Sequence, residues 1–196
     1  MLSHMVTLVL ALAVACPQRI HVAAPSTSST TATLTVTECG RRALGPWRAH
    51  VGYRGLSAHH REGDGTTPLG TYAIGPTLYG LAPSPGTRLA YHRLVCGDWW
   101  DEDARSSTYN RFRHVRCGTS PPFGGGSEAL WRATVAYQLF AVVQYNTAPV
   151  VPGRGSGIFL HVDTGHATNG CVSVARPLLQ RLLARLRPDA TISVTA

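Results

Sequence analysis

The sequence contains no lysine, so its formal net charge of +8 comes from 18 arginines set against 10 acidic residues. A basic balance permits nucleic-acid binding, but these arginines are scattered along the chain and form no basic cluster. The sequence therefore predicts no nucleic-acid partner. The bias towards arginine is equally well explained by the codon composition of a GC-rich genome, so it identifies no partner by itself.

Sequence patterns for metal and phosphate binding are also missing. There is no Cys-x-x-Cys pair, and the spacing of histidines and cysteines does not match a structural zinc site. The glycine run FGGGSE at 123–128 lacks the lysine and the spacing of a phosphate-binding loop, so we interpret it as a flexible loop with Ser127 as a candidate helix cap. We expect neither a metal nor another cofactor.

No hydrophobic run is long enough to cross a bilayer as an ordinary helix. The apolar run Val6–Ala15 has instead the length of the hydrophobic region of a signal peptide, although no arginine or lysine precedes it. The Ala-Val-Ala that ends this run fits a cleavage site, and Cys16 directly after it makes a lipoprotein an alternative. We predict a signal peptide or lipoprotein leader at 1–24 and a flexible Ser/Thr linker at 25–34. An exported protein of the cell envelope is expected, with an anionic cell wall as its natural neighbour. Its only membrane contact would be a lipid on Cys16, if the lipoprotein alternative holds.

Four cysteines follow Cys16, an even number that can pair completely in an oxidising compartment. Cys96 and Cys117 enclose a segment rich in turn-forming residues. We predict a disulfide between them, which would stabilise the domain by about 3 kcal/mol if it acts through the entropy of the unfolded chain. Cys39 has no assigned role and could be paired, buried or exposed, whereas Cys171 is a candidate for chemistry.

The chain from 35 to 196 is predicted to be one mainly β domain. Segments rich in β-branched and aromatic residues, separated by Gly and Pro, are typical of strands. The clearest segments are 71–74, 135–145, 158–162 and 192–194. One helix is predicted after Arg176-Pro177, where leucines recur at helical spacing until Arg187-Pro188, and a shorter helix is an option at 128–132. No internal repeat and no second domain boundary are visible.

Cys171 follows Asn-Gly and lies downstream of His161, which ends an apolar run. Because a thiol of ordinary pKa (~8.5) is mostly protonated at neutral pH, a nucleophilic cysteine needs a nearby base. If 158–162 is a strand and Cys171 begins the next one, a hairpin would bring His161 beside the thiol. The backbone N–H groups of Gly170 and Cys171 would then form an oxyanion hole. The alternative is a buried structural thiol near a core histidine.

Two segments resemble the L,D-transpeptidase catalytic domain family. Residues 161–174, HVDTGHATNGCVSV, resemble its active-site signature, and residues 61–75, REGDGTTPLGTYAIG, resemble the hairpin that enters a strand near its cleft. The resemblance covers 35–196 and implies an L,D-transpeptidase-like β-sandwich or barrel with one C-terminal helix packed near the active site, of the exported actinobacterial type. The positions that match the cysteine box and the catalytic histidine are Thr168, Gly170, Cys171 and His161. The sequence departs from the family at Asn169, where a histidine is usual, and at Ser173, where an arginine is common.

The resemblance implies an acyltransferase that forms peptidoglycan cross-links through a thioester on Cys171, with His161 as the base and no cofactor. Peptidoglycan stem peptides would be its partners, in cell wall biogenesis and the maintenance of cell shape, and we expect a monomer. The alternatives are an L,D-carboxypeptidase or peptidase with the same dyad and a non-catalytic peptidoglycan-binding module. Since the apolar Val162 follows the histidine, we expect a backbone carbonyl to orient the imidazole.

Supporting roles are expected for the residues that precede the cysteine. Thr168, Asn169 and Gly170 would support the oxyanion, with the Asn169 amide donating where the family has a histidine. His166, in the same loop, is expected to be a solvated histidine and not a second base.

Substrate contacts are predicted at four further positions: Ser173, Trp99, Trp100 and Tyr109. The two tryptophans lie in an acidic turn within the expected disulfide loop, where an indole face could bind a cationic group of a stem peptide. The alternative is a solvated turn whose aromatic side chains pack back on the domain.

Overall fold

Alternation of apolar and polar residues builds the strands of this chain, as in Thr31–Glu38, where Ala32, Leu34 and Val36 are buried and their neighbours are not. The computed structural model describes residues 16–196. Its strands, in chain order, are β1 Gln18–Ala23, β2 Thr31–Glu38, β3 Arg41–His50, β4 Leu56–Ser57, β5 Thr67–Pro68, β6 Gly70–Gly80, β7 Ala90–Arg93, β8 Asp98–Asp101, β9 Arg111–His114, β10 Glu128–Ala129, β11 Phe140–Val143, β12 Phe159–Val162, β13 Val172–Val174 and β14 Thr191–Thr195. The helix α1 spans Arg176–Ala184, and short 3-10 helices span Leu130–Arg132 and Ala136–Gln138.

Nine strands form one mixed sheet in the order β11-β12-β13-β3-β2-β1-β14-β6-β7. Because β11 also pairs with β6, the sheet closes on itself as a barrel. A three-stranded sheet of β10, β8 and β9 covers one side of the cleft, and β4 pairs with β5. The predicted mainly β class, with a barrel and one C-terminal helix, is confirmed.

The domain begins earlier than the sequence analysis predicts. Residues 18–23, assigned there to the leader, form β1, which lies between β2 and β14 in the sheet. Ile20 and Val22 of this strand are fully buried. Residues 31–34, assigned to the linker, belong to β2, so only a short turn separates the two strands. Burial of the Ile-x-Val pair explains why this segment is part of the barrel.

Both disulfides of the structure join segments close to strand ends. Cys96 bonds to Cys117, as predicted, and Cys16 bonds to Cys39, which accounts for the cysteine that had no assigned role. The Cys16 sulfur is therefore engaged in a disulfide, whereas the lipoprotein alternative needs it to be free. The remaining part of the predicted leader, residues 1–15, lies outside the described residues. Among residues 16–196, Cys171 is the free cysteine.

The helix α1 forms where the sequence predicts it, with Pro177 in its first turn. Leu179, Leu182 and Leu183 are buried in the core that fills the barrel. The predicted strand at 135–145 is only half correct, because 136–138 form a 3-10 turn before β11 begins at Phe140. No helix within the described part of the chain has the length and apolarity needed to cross a bilayer.

Candidate active site

The candidate nucleophile and base lie on two neighbouring strands. His161 belongs to β12, and Cys171 directly precedes β13. The strands are parallel, with Leu160 opposite Val172, and not the hairpin that the sequence analysis predicts. The loop between them crosses over and forms a bridge between Thr168 and Gly52 before it enters β13. The parallel register places Cys171 beside Phe159, on the same side of the strand pair as His161.

His161 is almost fully buried, with 6% of its surface exposed. Its Nδ1 lies 2.8 Å from the carbonyl oxygen of Val162. Because a carbonyl can only accept, Nδ1 carries the proton and Nε2 keeps its lone pair. This confirms that a backbone carbonyl orients the ring. Burial lowers the pKa of His161, so the imidazole is neutral at pH 7 and available as a base.

Cys171 is a partly exposed residue, and the backbone hydrogen-bonds its thiol on two sides. Its Sγ donates to the carbonyl of Gly157 at 3.2 Å and accepts from the N–H of Phe159 at 3.3 Å. Burial, and after it the charge of Glu128, raises the pKa of the thiol above its usual range. The resting site therefore contains a neutral thiol and a neutral imidazole, and a thiolate forms only as the proton leaves the sulfur.

Threonine side chains fix the backbone at the cysteine. Thr168 Oγ1 donates to the Cys171 carbonyl at 2.6 Å and accepts the Gly170 N–H at 3.1 Å. Thr67 Oγ1 also donates to the Cys171 carbonyl, at 3.3 Å, and accepts the N–H of Gly52 at 2.8 Å. The segment 61–75, which the sequence analysis places near the cleft, thus supports the cysteine directly.

One donor of the predicted oxyanion hole, the Gly170 N–H, is already used within the protein. The Gly170 N–H is engaged by Thr168, so it is not free for a substrate oxygen. Within residues 16–196, the Cys171 N–H has no hydrogen-bond acceptor. The exposed Asn169 lines the cleft next to it. The Cys171 N–H and the Asn169 amide remain as candidate donors for this role.

Two cavities meet at Cys171. The first cavity has a volume of about 460 Å³, and its lining includes His161, His166, Tyr137 and Arg132. The second cavity has a volume of about 340 Å³ and is also lined by Cys171. The residues that line both are Gly126, Glu128, Asn169 and Cys171. His166 is exposed in its loop, as expected.

Three of the predicted substrate-contact residues are buried, and none of the four lines either cavity. Ser173 is 0% exposed and donates to Asp163 Oδ1 at 3.1 Å. Trp100 packs in the core and donates from its indole N–H to Asn110, while Tyr109 is buried and donates to Glu62. The prediction of substrate contact is wrong for these three residues, because their polar atoms are used inside the protein.

The acidic segment agrees with the alternative interpretation only in its aromatic packing, because Asp98–Asp101 form the buried strand β8 and not a solvated turn. Trp99 packs edge-on against Trp131 at 5.2 Å between ring centroids and against Phe123 at 6.0 Å. Asp98 is fully buried and accepts from His92 and His114, each at 2.7 Å. The aromatic side chains therefore pack back on the domain, and the acidic side chain in this segment is structural.

Several residues of the cleft are not singled out as site residues by the sequence. They are His60, Glu62, Glu102, Glu128 and Tyr137. Tyr137 packs edge-on against the His161 ring at 5.9 Å and donates to Glu128. Tyr137 was assigned to a strand, and the three glutamates come from distant segments that only the fold brings together.

One free cysteine and one buried, neutral histidine therefore lie in the wall of the same cavity of this barrel. The model of the L,D-transpeptidase catalytic domain (YkuD) family matches residues 22–194, nearly the whole chain. The chain belongs to this family. The match begins within β1, in agreement with the observed start of the barrel. A search of curated proteins found no match.

Proposed function

We propose that the protein is a cell-wall acyltransferase that transfers a peptidoglycan stem peptide through a thioester on Cys171. The observation that supports this most is the pairing of Cys171 and His161 in the wall of one cavity, with the free Nε2 of a neutral imidazole as the base. Family membership supports the reaction class, and two disulfides are consistent with an exported protein of the cell envelope.

In the first half of the reaction, His161 Nε2 takes the thiol proton and the sulfur attacks the carbonyl carbon of the stem-peptide amide. The Cys171 N–H and the Asn169 amide hold the negative oxygen that develops, an interaction worth about 3 kcal/mol for a donor in other acyl-transfer sites. The C–N bond then breaks, the imidazolium protonates the leaving amine, and a thioester remains.

In the second half, an acceptor attacks the thioester carbonyl and His161 takes its proton, which then returns to the sulfur. An amine of a second stem gives a cross-link, whereas water gives a carboxypeptidase. Two cavities lined by Cys171 support a proposal in which donor and acceptor occupy different spaces.

The proposal is tested by incubating the protein with a tetrapeptide stem that ends in D-alanine. We expect release of D-alanine and a covalent adduct in the intact mass, and both should disappear in Cys171→Ala. Ser173→Ala is the matched control, because Ser173 lies near the dyad in the fold but is fully buried. If the adduct persists in Cys171→Ala, the nucleophile is wrong. If the unmodified protein forms no adduct, the peptidoglycan-binding module becomes the better hypothesis. Adding an acceptor stem then separates cross-linking from hydrolysis.

A further inference from the structure

A third cavity, of about 380 Å³, lies next to the first one. Arg132 lines both, so the two spaces are neighbours, whereas Cys171 is not among the described residues that line the third cavity. Two indoles, those of Trp99 and Trp131, and a second arginine, Arg116, belong to its wall. We call this space the tryptophan cavity. It lies outside the site described above, and the proposed reaction does not use it.

The wall of the tryptophan cavity carries positive charge without a balancing carboxylate. Arg116 and Arg132 are both exposed, and the ion pairs of residues 16–196 include neither of them. None of the described residues in this wall is Asp or Glu. The guanidinium carbon of Arg132 lies 5.7 Å from the centroid of the Trp131 ring, a cation–π contact that holds the charge beside the indole. A ligand that complements this wall must be an anion.

The two indoles form an L-shaped wall with free donors. Trp99 and Trp131 meet edge to face, with ring centroids 5.2 Å apart and ring planes at 84°, and both side chains are half-buried. In the described part of the chain, Trp100 is the tryptophan whose indole N–H has an acceptor, and every enclosed polar side-chain atom has a partner. The N–H groups of Trp99 and Trp131 therefore reach open space, where a ligand oxygen can accept from them.

The loop that carries Arg116 is fixed before any ligand arrives. The Cys96–Cys117 disulfide ties it to the start of β8. The N–H of Val115 donates to the carbonyl of Gly97 at 2.8 Å. Gly97 has φ +98°, and a Cβ there would lie 2.0 Å from the Val115 carbonyl oxygen, so the two segments approach each other closely. A wall that is already ordered loses little conformational entropy when a ligand binds.

These features together define the chemistry of the ligand. A flat aromatic anion has no position between parallel rings here, because the indoles are perpendicular. A pyranose instead offers C–H groups to the negative face of an indole and oxygen atoms to its N–H. A carboxylate on the same sugar would pair with a guanidinium group. The hydroxyl of Thr119 donates to the Arg116 carbonyl at 2.7 Å, which leaves its oxygen able to accept from a sugar hydroxyl.

We propose that the tryptophan cavity binds an acidic saccharide, a pyranose that carries a carboxylate. Trp99 and Trp131 form its apolar wall, and Arg116 and Arg132 pair with the carboxylate. This assignment rests on the proposed function for the source of the saccharide, because an enzyme of the cell wall meets anionic wall polymers. Since Arg132 also lines the first cavity, a polymer bound here would be held next to the space that contains the dyad.

The test measures the affinity for trigalacturonate, a trimer of carboxylated pyranoses, by isothermal titration calorimetry at pH 7. Maltotriose has three pyranose rings without carboxylates, and acetylated tri-glutamate amide has three carboxylates without a ring. Both should bind about tenfold more weakly than trigalacturonate or less tightly still. Equal affinity for the peptide would indicate a site for any anion, and equal affinity for maltotriose would indicate that the arginines contribute nothing. Either result, or no binding of trigalacturonate, contradicts the proposal.

A charge variant locates the carboxylate. Arg116→Gln should weaken trigalacturonate binding about tenfold, because a charge-assisted hydrogen bond is lost. Arg19→Gln is the matched control, since it removes the same charge from an exposed position on β1 and should bind like the unmodified protein. If both variants lose affinity equally, the attraction comes from the net charge of the protein and the proposed site is wrong.

A tryptophan variant tests the apolar wall. Trp131→Leu should weaken trigalacturonate binding about tenfold, because the stacking surface is removed. Trp47→Leu is its control, since Trp47 lies outside this cavity, and its affinity should be unchanged. Normal binding by Trp131→Leu would contradict the proposal. If this variant does not fold, the exposed Arg116 still provides the test.

Saccharide binding requires no acyl transfer, so the two proposals fail separately. Absence of trigalacturonate binding beside normal thioester formation would refute only the saccharide site. Binding as expected without any thioester would refute only the proposed function.

Discussion

Gly170→Ala tests whether the backbone conformation just before Cys171 is needed for stability and for thioester formation. Gly170 has φ +138°, a conformation that side chains other than glycine rarely adopt, and a Cβ there would lie 2.9 Å from the backbone oxygen of Thr66. Backbone strain of this kind costs about 1–3 kcal/mol, and overpacking against backbone costs a similar amount. We therefore expect a loss of roughly 3 kcal/mol in the free energy of unfolding.

Gly153→Ala is the matched control for this prediction. Gly153 also has positive φ, +77°, but a Cβ there would meet nothing within 4 Å. Its substitution should cost only about 1 kcal/mol, the conformational part alone. Urea unfolding measures both values, and the adduct assay follows the site. Gly170→Ala should also lose thioester formation, since the added methyl group displaces the backbone that Thr168 and Thr67 hold.

If Gly170→Ala and Gly153→Ala have the same free energy of unfolding, the short distance between position 170 and the Thr66 backbone oxygen does not restrict the residue at 170. If it is destabilised but still forms the thioester at the normal rate, the position of the Cys171 backbone is not what the reaction depends on.

Three further predictions concern stability and pH. Asp98→Asn should lower the free energy of unfolding by about 2 kcal/mol at pH 7, since charge-assisted hydrogen bonds to two histidines and the Val95 N–H are lost. Although burial alone would raise the pKa of Asp98, these hydrogen bonds lower it overall, so its contribution is present above about pH 4 and lost as pH falls through the folded pKa. Equal differences in urea unfolding at pH 7 and pH 2.5 would contradict this. Replacing both Cys96 and Cys117 by serine should cost about 3 kcal/mol in the same assay, and an unchanged midpoint would refute it. Alkylation of Cys171 by iodoacetamide should rise with pH beyond the usual thiol range, because its pKa is raised, and a plateau by pH 7 would indicate a resting thiolate.

Local patterns account for the parts of the fold that the sequence predicts correctly. The helix α1 is amphipathic and starts at a proline, so its position depends on little beyond its own residues. The Cys96–Cys117 bridge closes a nearby loop. The strand at 158–162 and the carbonyl that orients His161 are also local features.

Errors arise where the answer depends on distant packing. The strand β1 was assigned to a leader because it follows an apolar run, and only its pairing with β14 at the other end of the chain shows that it belongs to the barrel. Trp100 and Tyr109 have the chemistry of substrate contacts, but side-chain chemistry does not reveal burial. The parallel pairing of β12 and β13 depends on the crossing of the loop at Gly52, a residue far away in sequence.

The charge of the cleft could not be predicted for the same reason. Glu62 lies in the segment 61–75, Glu102 in the acidic turn and Glu128 after the glycine run, and nothing in these three segments shows that they converge. Their meeting at Cys171 follows from the way the three-stranded sheet covers the barrel.

The most direct test of the proposed function is peptide mapping of the acid-quenched reaction with the tetrapeptide stem. The mass of the stem minus D-alanine should be found as a thioester on the peptide that contains Cys171. His161→Ala should reduce its rate of formation by about 100-fold or more, as expected for loss of a general base. An acyl group on any other residue, or an undiminished rate in His161→Ala, would contradict the assignment of the Cys171–His161 dyad.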